Sequence, residues 1–331
     1  MKLTKPSYFD TFRCIAGNCP DSCCKEWDVR IDEEKAALYR ALPGDLGNRL
    51  REVLHDEDGE TVMTIIDGRC PMWRADGLCR IQAELGEDAL CKTCREFPRL
   101  THDYGDFVEM GLELSCPESA RIILSSPAPE YISQNVPGGE APEYDEDAME
   151  ILLRTREQAR RILSNFSRPA NEALALLLMY GYQAQAELDG AEAVSFDPDA
   201  ALEEALSFAQ PDNGREMLDF FTGLEILTDT WSVRLATLNP TAWKPEHQTL
   251  ARYFVDRYWL QAVSDYDLVG RVKLAVVSCL LIRTIGGSLI PTAQLYSKEI
   301  ENSIDNVDAL LDGAYTSPAF TDDRLLGMLL L

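Results

Sequence analysis

Apolar positions change their rhythm part-way along this chain. Beyond about residue 146 they recur at helical steps: Met149, Leu152 and Leu153 share one face, as do Leu218, Phe221, Leu224 and Leu227. The pattern predicts helices over roughly 145–166, 170–188, 199–209, 214–236, 246–264, 267–285 and 291–311. Tyr253, Phe254, Tyr258 and Trp259 form an aromatic stripe within one of them, which reads as core. No fixed-period repeat is present.

The first 125 residues lack that long periodicity. Asp32 is a suitable N-cap for a helix that carries Glu33 and Glu34 in its first turn, runs to Leu42 and stops at Pro43-Gly44. Alternation predicts a strand over Thr61–Ile66, ended by Asp67-Gly68, and a weaker one from Phe107 to Leu114. A stretch rich in proline and acid, residues 126–145, then reads as a linker. The expected architecture is mainly α: a compact cysteine-rich metal-binding domain with short strands at 1–125 and an all-helical domain at 146–331.

Charge narrows the partners. A formal net charge of −25 repels nucleic acid phosphates and anionic membranes, and favours a cationic partner such as a lysine-bearing surface. The opening Met1–Pro6 has no apolar leader, and the longest apolar run, Leu274 to Ile282, is interrupted by Ser278 and too short to cross a bilayer. A soluble, cytoplasmic protein is expected, and with it a reducing environment hostile to disulfides.

In that setting the cysteines carry the chemistry. All of the ten except Cys279, which sits in an apolar stretch as a small core residue, fall between Cys14 and Cys116. They form the groups Cys14-x4-Cys19-x3-Cys23-Cys24, Cys70-x8-Cys79 and Cys91-x2-Cys94, with Cys116 following. Thiolates gathered from separate segments are metal ligands, four to a zinc or an iron–sulfur cluster. Nine exceed one such set, so either two centres exist or some thiols stand behind the ligands. Spacing does not separate iron–sulfur from zinc. Cys116 precedes Pro117, a good first helical residue, and a helix start is expected to lower its thiol pKa. Lys25, Arg69, Arg80, Arg95 and Arg99 flank the cysteines, and His102 is the nearest histidine. The Cys-x3-Cys-x2-Cys run of radical enzymes fails, because Glu26 stands where its third cysteine belongs. No glycine-rich dinucleotide fingerprint follows a strand.

Three stretches of this segment resemble the flagellin lysine N-methylase family, FliB. They are Tyr8–Cys14 through Cys19, Cys23-Cys24 and Trp27-Asp28; Gly77–Ile81 through Cys94–Arg99; and Leu114–Arg121. Tyr253–Tyr258 and Tyr296–Asn302 are similar to it as well, and the N-terminal half also resembles a wider group of zinc- or iron-chelating proteins with a double-cysteine motif. The family pattern falls on Cys14, Cys19, Cys23, Cys24, Cys70, Cys79, Cys94 and Cys116, and does not call for Cys91. The resemblance implies methyl transfer from S-adenosylmethionine to surface lysines of flagellin, with a [4Fe–4S] cluster as cofactor. Asp28, Asp67, Asp76, Glu96 and Asp103 are the acids considered for guiding or deprotonating the acceptor. The competing expectation is a non-catalytic zinc- or iron–sulfur-binding protein, an electron carrier or metallochaperone.

Overall fold

A computed structural model describes residues 1–25, 29–57 and 59–331. Its strands are β1 Lys2–Pro6, β2 Val29–Ile31, β3 Leu54–Glu57, β4 Glu60–Met63, β5 Arg99–Asp103, β6 Phe107–Leu112 and β7 Tyr131–Asn135. They build two sheets, one in the order β5-β6-β1-β7 and one in the order β2-β4-β3. β1 runs parallel to β6 and antiparallel to β7. The stretch read as a linker therefore contributes an edge strand to the first sheet. The chain is mainly helical, and every regular element described within 146–331 is a helix.

Most helices form where the apolar spacing predicts them. Glu146–Leu163, Ala170–Leu188, Pro198–Phe208, Pro245–Tyr258 and Leu268–Ile285 match the expected spans closely. Asp32 caps Glu33–Ala41 by accepting the Lys35 N–H at 3.2 Å. Three expectations change. The span 214–236 divides into Arg215–Thr222 and Asp229–Leu235, with Gly223 ending the first helix. The span 291–311 divides into Leu289–Tyr296, a π-helical turn at Ser297–Glu301, and Ile304–Thr316 behind the Ser303 cap. The strand expected over Thr61–Ile66 stops at Met63, because Asp67 and Gly68 adopt positive φ (51° and 70°) and close an Ile66–Arg69 bridge. That turn sends the chain to Cys70, whose N–H donates to the Cys24 carbonyl at 2.8 Å.

Two apolar clusters result. The larger joins Phe9, Phe12, Leu112, Leu114 and the helix Pro117–Leu124 to the helical core, in which Phe254, Trp259 and Cys279 are fully buried. The smaller joins Val29, Ile31, Tyr39, Leu50, Met63 and Met72 to Cys70 and Cys91. The aromatic stripe is core, as its spacing indicates. No helix among the described residues is long and apolar enough to cross a membrane.

Candidate functional site

Between the two clusters lies a cavity of about 560 Å3. Cys14, Cys19, Cys23, Cys24, Cys70, Cys79, Cys91, Cys94 and Cys116 all line it. Segments separated by up to a hundred residues thus converge on one void, through four local devices. Short 3₁₀ turns at Phe9–Thr11 and Ala16–Asn18 fold the Cys14–Cys24 loop. The Asp67-Gly68 turn delivers Cys70. Cys79 and Cys91 occupy the residues just before the helices Arg80–Leu85 and Lys92–Glu96. Cys116 is the N-cap of Pro117–Leu124. Cys91, which the family pattern does not require, is as much a part of the wall as the others. Its Cys-x2-Cys spacing with Cys94 was the sequence signal for it.

The sulfurs stand around the void and do not meet at a point. Among the described residues, no three cysteine, histidine, aspartate or glutamate side chains are grouped closely enough to hold a single metal ion. Cys14, Cys19, Cys24, Cys70, Cys79, Cys91, Cys94, Cys116 and Cys279 are free thiols. Burial pushes Cys70 up to about 12 and Cys116 up to about 11. At Cys116 the Ser119 and Glu118 N–H groups do bond the sulfur, as a helix start should, but desolvation outweighs them and corrects the expected lowering. Burial raises Cys19 and Cys79 too. Two neighbouring pairs share protons: a hydrogen bond from Cys23 lowers Cys24, and one from Cys94 lowers Cys91. A bound cation would reverse this balance and release the protons. A ring of thiols able to ionise in this way suits a metal–sulfur group chemically.

Basic residues reach the same wall, but not all of those expected. Arg13, Lys25, Arg95, Arg99 and Lys298 line it. Arg69 instead stacks over Trp73 at 4.7 Å, and Arg80 pairs with Asp45 and Glu84, each at 2.7 Å. His102 lies elsewhere, on a separate cavity of about 50 Å3 shared with Glu109 and Arg257. Burial lowers its pKa, and the Arg257 charge lowers it further, so it is a neutral packing residue of the first sheet. The acids are exchanged as well. Asp67, Asp76, Glu96 and Asp103 do not line the cysteine cavity, while Asp21, Glu87, Glu118 and Glu225 do. Asp28 and Trp27 lie outside the described residues.

The helical half supplies one wall. Glu225, Leu227, Lys298, Asn302 and Ser303 face the cysteines. The π turn sets this alternation. Glu299 accepts from Thr228 and from the Leu227 N–H, while Glu301 accepts from the hydroxyls of Tyr253 (3.1 Å) and Tyr258 (2.9 Å) and pairs with buried Arg257 at 3.4 Å. With those two carboxylates anchored inward, Lys298 and Asn302 are left on the cavity side. Lys298 and Gln294 both reach Asp21, at 3.4 and 2.9 Å, and Lys25 pairs with it at 2.7 Å. Burial raises the Asp21 pKa, but those three partners outweigh it and hold the carboxyl below its usual range.

Of the stretches that resemble a known family, the N-terminal ones and Tyr296–Asn302 meet at this cavity, whereas Tyr253, Asp256 and Arg257 line the smaller one beside His102. A 135-residue stretch covering 38% of this chain is 33% identical to the flagellar biosynthetic protein FliU of Salmonella muenchen, and spans 78% of that protein. The chain belongs to the FliB family. FliB-type relatives at the same 33% identity over 135 residues include the lysine-N-methylases of Salmonella typhimurium and Salmonella choleraesuis. The match spans about a third, 33%, of the length of those two methylases. No protein-family model matches the chain, and no solved structure matches it.

Proposed function

We propose that this FliB-type chain is a protein-lysine N-methyltransferase that moves a methyl group from S-adenosylmethionine to surface lysines of flagellin, with an iron–sulfur cluster held by the cavity cysteines. The observation that carries this reading is the composite cavity. Thiols from the N-terminal segments face Lys298, Asn302, Ser303 and Glu225 from the helical half across one void. The names of the relatives support the methylase and flagellar parts of the reading.

The transfer is a polar substitution. The N–C bond forms as the C–S bond of the sulfonium breaks, and the amine must shed one proton. With a reference pKa near 10.4, a lysine lies roughly 4–5 kcal/mol from its nucleophilic form at neutral pH. A base in the cavity must take the proton. Asp21 is held by Lys25 and Lys298, and Glu118 by Arg121 at 2.6 Å. Glu225 accepts a hydrogen bond from Ser303 Oγ at 2.9 Å and, like Glu87, has no ion pair among the described residues; it shares its wall with Lys298 and Asn302, which makes it our choice for that base. Lys298 and Asn302 stand beside it to bind anionic and polar parts of the methyl donor. When bound, a cluster would supply a Lewis-acidic iron able to hold the donor's methionyl end.

The test is methylation of flagellin by anaerobically purified protein, read by peptide mass spectrometry, with donor binding measured by calorimetry. Glu225→Gln is expected to keep donor affinity and lose rate by roughly 100-fold. Protein that binds metal but neither the donor nor flagellin would instead be a non-catalytic metal carrier.

A further inference from the structure

The nine cavity thiols belong to two structural frames. Cys24, Cys70, Cys79 and Cys91 pack on the smaller apolar cluster, with Val29, Tyr39 and Met63. The Cys70 N–H on the Cys24 carbonyl (2.8 Å) and the Trp73–Cys79 bridge tie three of those segments to one another. Cys94 lies one helical turn from Cys91 and bonds to it.

The remaining thiols are fixed to the larger cluster. Phe12, two residues before Cys14, is buried in it, and Cys116 packs against it. Gln294 clamps the other segments together, since its Nε2 donates both to Asp21 (2.9 Å), between Cys19 and Cys23, and to the Ser115 carbonyl (2.8 Å), next to Cys116. Lys298 reinforces the clamp from the next turn. Cys23 hydrogen-bonds the neighbouring Cys24 across the seam, but its segment is clamped through Asp21, so the two adjacent residues stand on different frames.

We propose that the cavity holds two separate four-thiolate iron–sulfur centres, one on Cys14, Cys19, Cys23 and Cys116, and one on Cys24, Cys70 and Cys79 with the Cys91–Cys94 pair supplying the fourth sulfur. The proposal rests on the function proposed above in taking the cavity thiols as ligands of iron–sulfur; two zinc ions in place of clusters would overturn it. The double-cysteine motif acquires a reason: neighbouring residues let one loop serve both centres.

Iron and acid-labile sulfide analysis of the full chain, purified anaerobically, together with native mass spectrometry, tests this. Wild type should carry the mass of two clusters. Cys14→Ser/Cys116→Ser and Cys70→Ser/Cys79→Ser should each retain about half the iron and sulfide, while Cys279→Ser retains all of it. A wild-type chain carrying a single cluster, or a folded pair variant that has lost all its metal, overturns the proposal. Native mass spectrometry of wild type decides the matter if a pair variant does not fold. One cluster with full methylase activity would sink only this inference. Two clusters without methylation would sink only the proposed function.

Discussion

Glu113 follows directly on β6 and is buried, and its Oε1 has no hydrogen-bond partner among the described residues. Desolvation raises its pKa, Glu301 raises it further, and Arg257 opposes the rise without cancelling it. A carboxyl raised in the fold binds its proton more tightly there than in the unfolded chain. The associated stability is complete below the unfolded pKa and is lost as pH rises through the folded one. Above that window the ionised group is a cost. Glu113→Gln should therefore be more stable than the parent at neutral pH, and the gain should shrink towards roughly pH 4, near the unfolded carboxyl value. Denaturant midpoints at several pH values measure this, and a gain independent of pH would refute it. The same competition explains Cys116, where the N-cap position was legible in Pro117 but the burial that outweighs it depends on contacts distant in sequence.

Gly181 sits inside the helix Ala170–Leu188 where it crosses Leu268–Ile285. A Cβ there would stand 2.8 Å from Val272 Cγ1 and 2.9 Å from Cγ2. A β-branched side chain in a helix has no second rotamer to retreat to, so the helices themselves would have to separate. Gly181→Ala should cost about 1–3 kcal/mol despite alanine's better helix propensity, and Val272→Ala in the same chain should recover part of the loss. Thermal unfolding of the two variants checks the pair; a single variant as stable as the parent would contradict the packing. Glu146–Leu163 was legible because it buries one periodic face, and Leu268–Ile285, buried nearly all round, because its apolar run is too long for a strand. The breaks at Gly223 and at Ser297–Glu301 were not, since they answer to tertiary hydrogen bonds. Thr228 and Leu227 bind Glu299, and Tyr253 and Tyr258 bind Glu301. The strand β7, Tyr131–Asn135, was hidden by the prolines and acid that flank it, Pro129, Glu130 and Pro137, and it is an edge that only β1 pairs.

At the scale of the molecule, the spacing of the cysteine groups led to the expectation that their segments converge, and the cavity is where they meet. What the spacing could not contain is the far wall, because Glu225, Lys298, Asn302 and Ser303 lie more than a hundred residues beyond the last clustered cysteine, Cys116, and reach the cavity only through the fold. The wall also joins two unequal cores. The smaller one is built on Val29, Ile31, Tyr39, Leu46, Leu50, Val53 and Met63 and is edged by thiols, whereas the larger holds the helix Leu268–Ile285, buried except at Arg283. Under the proposed metal binding, the smaller core would draw on the metal for part of its stability, on the order of 10 kcal/mol for a structural site. Removing the metal with a chelator under reducing, anaerobic conditions should therefore loosen residues 29–91 selectively. Amide hydrogen exchange is expected to rise by orders of magnitude in β2, β4 and the helix Gly44–Val53, while Leu268–Ile285 stays protected. Uniform protection before and after chelation would mean that the smaller core stands without its thiols engaged, and the case for metal as a structural partner would fall with it.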